Sequence, residues 1–142
     1  MIPLILLKDI RDYIATLGIA EDENCYMGIL PEKEVKSIGT YPLKRAGKNK
    51  TPIGGEINRS FGTKQVSFLV HWNKSPTETE KAANELFCAL RETKMQEVNG
   101  WMIKFIQIEK PEPIWVGMDS NGIYEYVIEC EIYYDKERKD EE

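Results

Sequence analysis

Apolar residues recur along this chain at two distinct periods, and each period marks its own kind of element. From Tyr124 to Tyr134, the residues Tyr124, Tyr126, Ile128, Cys130, Ile132 and Tyr134 alternate with a set that includes Glu125, Glu129 and Glu131. A period of two predicts a strand with one buried face and one mainly acidic face. Asp119-Ser120-Asn121-Gly122 supplies the hairpin turn before it, because Asn and Gly tolerate the positive φ of a tight loop. Upstream, Trp101, Ile103 and Phe105 share one parity while Ile106 and Ile108 take the other, which predicts one extra residue in a bulge near Phe105. Punctuated by Lys110-Pro111-Glu112-Pro113, the stretch from Trp101 to Tyr134 reads as an antiparallel meander of three strands.

Two further strands precede it. Val66, Phe68, Val70 and Trp72 alternate with Ser67, Leu69 and His71, and Cys25 to Leu30 forms a shorter strand stopped by Pro31. The helical period appears twice. Leu7, Ile10, Ile14 and Leu17 fall at spacings of three and four, with Gly18 where a helix would end. Ser75-Pro76-Thr77-Glu78 then reads as an N-cap, a proline at the first helical position and a capping box. It opens a helix running to about Lys94 that presents Ala82, Ala83, Leu86, Phe87 and Leu90 on one face. These elements predict an α+β fold, with a mostly antiparallel twisted sheet of about four to five strands packed against two helices.

Between residues 37 and 63 the periodicity gives way to Gly39, Pro42, Gly47, Pro52, Gly54, Gly55 and Gly62, interleaved with Lys44, Arg45, Lys48, Lys50 and Arg59. This reads as a long basic loop, with room for short strands inside it. A loop of such length in a compact domain is usually functional or disordered. The whole chain carries a net charge of -5, so the loop is a positive segment of an acidic protein. That balance argues against a protein whose main task is coating nucleic acid. At 142 residues the chain fits one domain over 1–134, followed by a charged tail at 135–142 that is expected to be disordered.

Candidate chemistry is sparse. Cys25, Cys88 and Cys130 are odd in number and widely spaced, which fits reduced, structural cysteines rather than a zinc knuckle or redox pair. The apolar start from Met1 to Leu7 lacks a basic leader and is interrupted by Lys8 and Asp9, so neither a signal peptide nor a membrane anchor is expected. His71 is the only histidine and falls on the polar parity of its strand, where an ordinary surface or edge position explains it. Glu125, Glu129 and Glu131 could serve as paired carboxylates or hard-cation ligands, but a solvated strand face is the simpler reading. Asp119 to Gly122 resembles the start of a calcium loop without its later ligands, and Thr51 to Gly55 lacks the Gly-Lys-Ser/Thr ending of a phosphate loop. No catalytic residue, metal site or cofactor site is predicted. The basic loop is the strongest binding element, and with only Tyr41 and Phe61 near its ends it offers little for base stacking.

Across nearly its whole length the chain resembles the minor capsid or tail-terminator proteins of long-tailed bacteriophages and prophages. The resemblance rests on the amphipathic first helix, the loop-rich middle, the capped helix from Pro76 and Asn99-Gly100-Trp101. It extends through Pro113-Ile114-Trp115-Val116-Gly117-Met118-Asp119 and Gly122-Ile123-Tyr124-Glu125-Tyr126. It implies a structural virion protein, made in the bacterial host cytoplasm and located at the head-tail junction. It also implies a homo-oligomeric ring, commonly a hexamer, that meets the major tail protein and the head-completion proteins. A ring of this kind joins unlike faces of neighbouring subunits. Lys44, Arg45, Lys48, Lys50 and Arg59 against Glu125, Glu129 and Glu131 would make a complementary pair of surfaces. Two rival readings are a small α/β ligand-binding protein or enzyme, resting on His71, Cys88 and Cys130, and a DNA-contacting accessory protein using the basic loop.

Overall fold

The computed structural model describes residues 4–28, 35–43 and 61–135. Helix α1 spans Leu7–Thr16, and a short 3-10 turn at Asp22–Asn24 leads into strand β1 at Cys25–Met27. Strands β2 at Ser37–Pro42 and β3 at Phe61–His71 precede helix α2 at Pro76–Arg91. Strands β4 at Lys94–Val98, β5 at Trp101–Ile108, β6 at Ile114–Met118 and β7 at Tyr124–Asp135 complete the order. The described residues form one seven-stranded sheet in the order β1-β2-β3-β7-β5-β4, with β6 also on β7. Only β1 against β2 is parallel. The expected α+β architecture is present, with β2 and β4 added to the five strands legible in the sequence.

β2 occupies the beginning of the segment read as loop, and β3 begins at Phe61, five residues before Val66. β4 carries no apolar alternation, and four of its five residues are exposed. It is a strand because its backbone pairs with β5 across the tight turn Asn99-Gly100, where both residues have positive φ. The tail was expected to begin at residue 135, yet Asp135 still pairs with Phe61 and lies 3.6 Å from Lys104 Nζ.

The three-strand meander needs correction. β5 and β6 both run antiparallel to β7 along the same edge, β5 against its second half and β6 against its first. They are successive parts of one long hairpin arm, interrupted at Pro111 and Pro113, because proline cannot supply a ladder N–H. The bulge expected near Phe105 is present as a register shift between Ile103 and Phe105. It leaves Ile103 and Ile106 buried together and turns Phe105 outward.

Alternation decides the core. Val66, Phe68 and Val70 on β3 share a buried face with Tyr126, Ile128, Cys130, Ile132 and Tyr134 on β7. α2 lies over β3, β7 and β5, burying Ala82, Ala83, Leu86, Phe87 and Leu90. Ser75 Oγ accepts from Glu78 N at 3.2 Å as expected of an N-cap. The reciprocal half of the box is reorganised: Asn73 Oδ1 accepts from Ser75 N, and Asn73 Nδ2 donates to Glu78. Truncating Leu86 or Leu90 to alanine would cost about 2–5 kcal/mol, well above the 0–1 kcal/mol of an exposed ion pair.

α1 contacts β1 and β2 at one end of the sheet and β4 at the other, so the sheet curls around it. Arg11 Nε donates to the Cys25 carbonyl at 2.9 Å, while Asn99 Nδ2 donates to Asp9 Oδ1 at 2.8 Å and Asp12 Oδ2 at 2.9 Å. Tyr13 and Thr93 share a buried hydroxyl bond of 2.8 Å. Burial pushes the Asp12 carboxyl up, but bonds from Lys8, Asn99 and Arg11 outweigh it and hold the group at about 2.

Two outcomes are expected. A Cβ on Gly62 would lie 2.6 Å from Tyr134 Cζ, and Tyr134 is fully buried, so Gly62→Ala should lower stability by about 1–3 kcal/mol in urea titration. Asp12 is depressed from 3.8, so its stabilisation is complete above about pH 4 and is lost as pH falls toward 2. With solvent screening at this partly open site, Asp12→Asn should cost about 1 kcal/mol at pH 7, with the cost shrinking as pH falls through about 2, as read from paired urea titrations.

Candidate assembly surface

The sheet face opposite the helices is built from the other parity of the same strands. Ser67, Leu69 and His71 on β3 stand beside Glu129, Val127 and Glu125 on β7. Tyr41, Pro42 and Leu43 border this face and, with Ser67, Leu69, Val127 and Glu129, line a groove of about 700 Å³. At one end Tyr133 stacks on Phe105 at 4.4 Å and lies 5.6 Å from Phe61. The face is therefore mixed, with apolar patches between its carboxylates.

The three carboxylates expected on it are not equivalent. Glu131 is only 6% exposed, because β7 is central here and Gln65 Nε2 and the Tyr133 hydroxyl both donate to it. Glu125 accepts from His71 Nδ1 at 2.7 Å. Glu129 lines the groove. A row that sequence alternation made uniformly solvent-facing is graded from buried to half-buried. Lys44, Arg45, Lys48, Lys50 and Arg59 lie outside the described residues.

His71 also departs from expectation. It is 1% exposed rather than at the surface, because β2 covers one side of β3 and β7 the other, leaving no open edge. Its Nδ1 points to Glu125 and its Nε2 to Asp119 Oδ2 at 3.8 Å, too far for a hydrogen bond. Among the described residues, Nε2 is the buried side-chain polar atom without a hydrogen-bond partner. Leaving such a group unpaired costs about 1–3 kcal/mol. Asp119 is held by the turn itself, its Oδ1 accepting from Asn121 N at 2.8 Å and Ile123 N at 2.9 Å. Gly122 has φ of 83°, as the turn reading requires.

The two thiols of the rival reading differ in exposure: Cys88 is exposed and Cys130 is buried, as is Cys25, and burial pushes the Cys130 thiol far up, which suppresses its nucleophilic thiolate.

The exposure of β6, rather than its existence, is what residue-by-residue reading missed. Among the described residues β6 pairs with β7 alone, and Trp115, Val116 and Met118 on it are 55%, 50% and 61% exposed. Trp115 leans on Tyr124 and Tyr126 at 5.6 and 5.4 Å, which props its ring against the sheet. The signal was present in Ile114-Trp115-Val116-Gly117-Met118, which is apolar on both parities and so cannot bury both faces in a two-layer fold. An unpaired edge with large exposed apolar residues is suited to contact with another polypeptide. Among the described residues no helix is long and apolar enough to cross a membrane.

No curated protein matches the chain. Residues 13–136 match the family described as bacteriophage tail terminator protein, nearly the full length from α1 through β7, and the chain therefore belongs to this family of structural phage-tail proteins.

Proposed function

We propose that the protein assembles into a ring, a hexamer in the first instance, that closes the tail tube at the head-tail junction and meets the major tail protein and the head-completion proteins. The observation that carries this reading is the β6 edge, unpaired among the described residues, with Trp115, Val116 and Met118 exposed in a member of a tail-terminator family. A ring requires each subunit to offer two different surfaces. The β6 edge supplies an apolar one, and aromatic anchors of this kind dominate interface energy. The basic segment from Lys44 to Arg59 is opposite in sign to Glu129, the one carboxylate of an otherwise mainly apolar groove, and in this reading the two set register and association rate more than affinity.

Solution mass measurement, with and without purified tail tubes, tests the reading. Multimeric subunits bound at tube ends are expected, and a monomer that ignores tube ends at micromolar concentration would overturn it. Trp115→Ala should weaken assembly about thirtyfold, the effect of losing a contact worth about 2 kcal/mol, while leaving the thermal unfolding midpoint nearly unchanged. The charge pairing has its own test: Lys48→Glu with Lys50→Glu should slow association and reduce its salt dependence, and assembly at the wild-type rate would exclude that pairing.

A further inference from the structure

We propose that His71 and Asp119, with Glu125 orienting the imidazole, form a site for a borderline transition-metal ion of the zinc class, which pins the tip of the β6–β7 hairpin to the end of β3. One potential ligand atom from each residue lies within 4.8 Å of the others. The histidine sets this cluster apart from an ordinary pair of carboxylates. Its side chain is 2% exposed, and its Nε2 has no hydrogen-bond partner while facing Asp119 Oδ2 at 3.8 Å.

In the neutral ring, a bond from Nδ1–H to Glu125 is the tautomer that leaves a lone pair on Nε2. That lone pair then points at a carboxylate oxygen, acceptor against acceptor, and a cation resolves the opposition. Zinc binds imidazole nitrogen and carboxylate oxygen at about 2.0 Å each, so a separation of 3.8 Å is within reach of one ion at an opened angle. Glu125 takes the part of the carboxylate that orients a metal-bound histidine through its second nitrogen. Asp119 is equally prepared, since Oδ1 is occupied by two backbone amides and Oδ2 is directed at the ring. The half-buried carboxylates admit water to complete the coordination. Imidazole selects the borderline transition metals over calcium or magnesium, which prefer all-oxygen sites. The ion would stabilise the hairpin that carries Trp115 and Met118, independently of whether the protein forms a ring.

The test uses tag-free full-length protein in a Cys88→Ser background, which removes the exposed thiol as a competing ligand. Because His71 is the only histidine, its ring ¹⁵N signals are unambiguous. Titration with zinc is expected to move the Nε2 resonance with a saturable 1:1 stoichiometry and to raise the thermal midpoint, while equal concentrations of magnesium or calcium do neither. Asp119→Asn keeps an oxygen for the turn amides and places an amide donor against Nε2. It should weaken zinc binding at least tenfold and abolish the zinc-dependent thermal shift while the protein stays folded. No change in the Nε2 signal up to millimolar zinc, or undiminished affinity in Asp119→Asn, would overturn the proposal and leave an imidazole held between two carboxylates.

Discussion

The pairing of β7 along both of its edges is the constraint on which the rest of the structure depends. β3 runs beside its whole length on one side, while β5 and β6 divide the other between them. Strand parity is strict, so this single register assigns every side chain of β7 to the helix-covered face or to the open one. A slip of one residue would drive Glu125, Glu129 and Glu131 under α2 and expose Ile128, Cys130 and Ile132. Each apolar side chain kept inside contributes about 1.5–3 kcal/mol, which is why the register is not negotiable.

α1 adds the second constraint, closure. A sheet of this order has two distant ends, and α1 reaches both, through Arg11 to the Cys25 carbonyl and through Asp9 and Asp12 to Asn99. Tyr13 joins the same helix to Thr93, just beyond α2. The polar ties are individually modest, and their role is to fix the curl while the apolar core supplies most of the stability. β1 and β4 are thereby drawn toward the helix, whereas β6, among the described residues, is held through β7 alone and keeps an open edge. The described residues thus present an exposed tryptophan on a strand rather than on a loop, in keeping with a structural protein of the phage tail.

The family membership and the exposed edge meet at the β6–β7 hairpin. Its base is locked into the central strand, its tip is organised by Asp119, and its outer side carries Trp115, Val116 and Met118. His71 lies at the junction of the tip with β3, and so a buried polar side chain of the outer face sits beside an element with three large exposed apolar residues. Stiffening this hairpin would reduce the conformational entropy lost when a partner docks on it.

By itself the sequence determined what depends on neighbours a few residues apart. The cap at Ser75-Pro76, the apolar faces of α1 and α2, the alternation of β3 and β7, the bulge near Phe105 and the turn at Asp119 to Gly122 were all legible, because caps, turns and periodicity are local. The likeness to tail terminators over nearly the whole chain was legible as well. Only the tertiary structure decided which strands stand side by side and which edges remain open. It made strands of Ser37–Pro42 and Lys94–Val98, whose own residues carry no clear alternation. It placed β5 and β6 end to end, buried His71 and Glu131, and left Trp115 outside. The physical reason is that burial of a strand residue is set by partners far away in sequence. Parity says which side a residue faces, and only the packed neighbours say whether that side is wet.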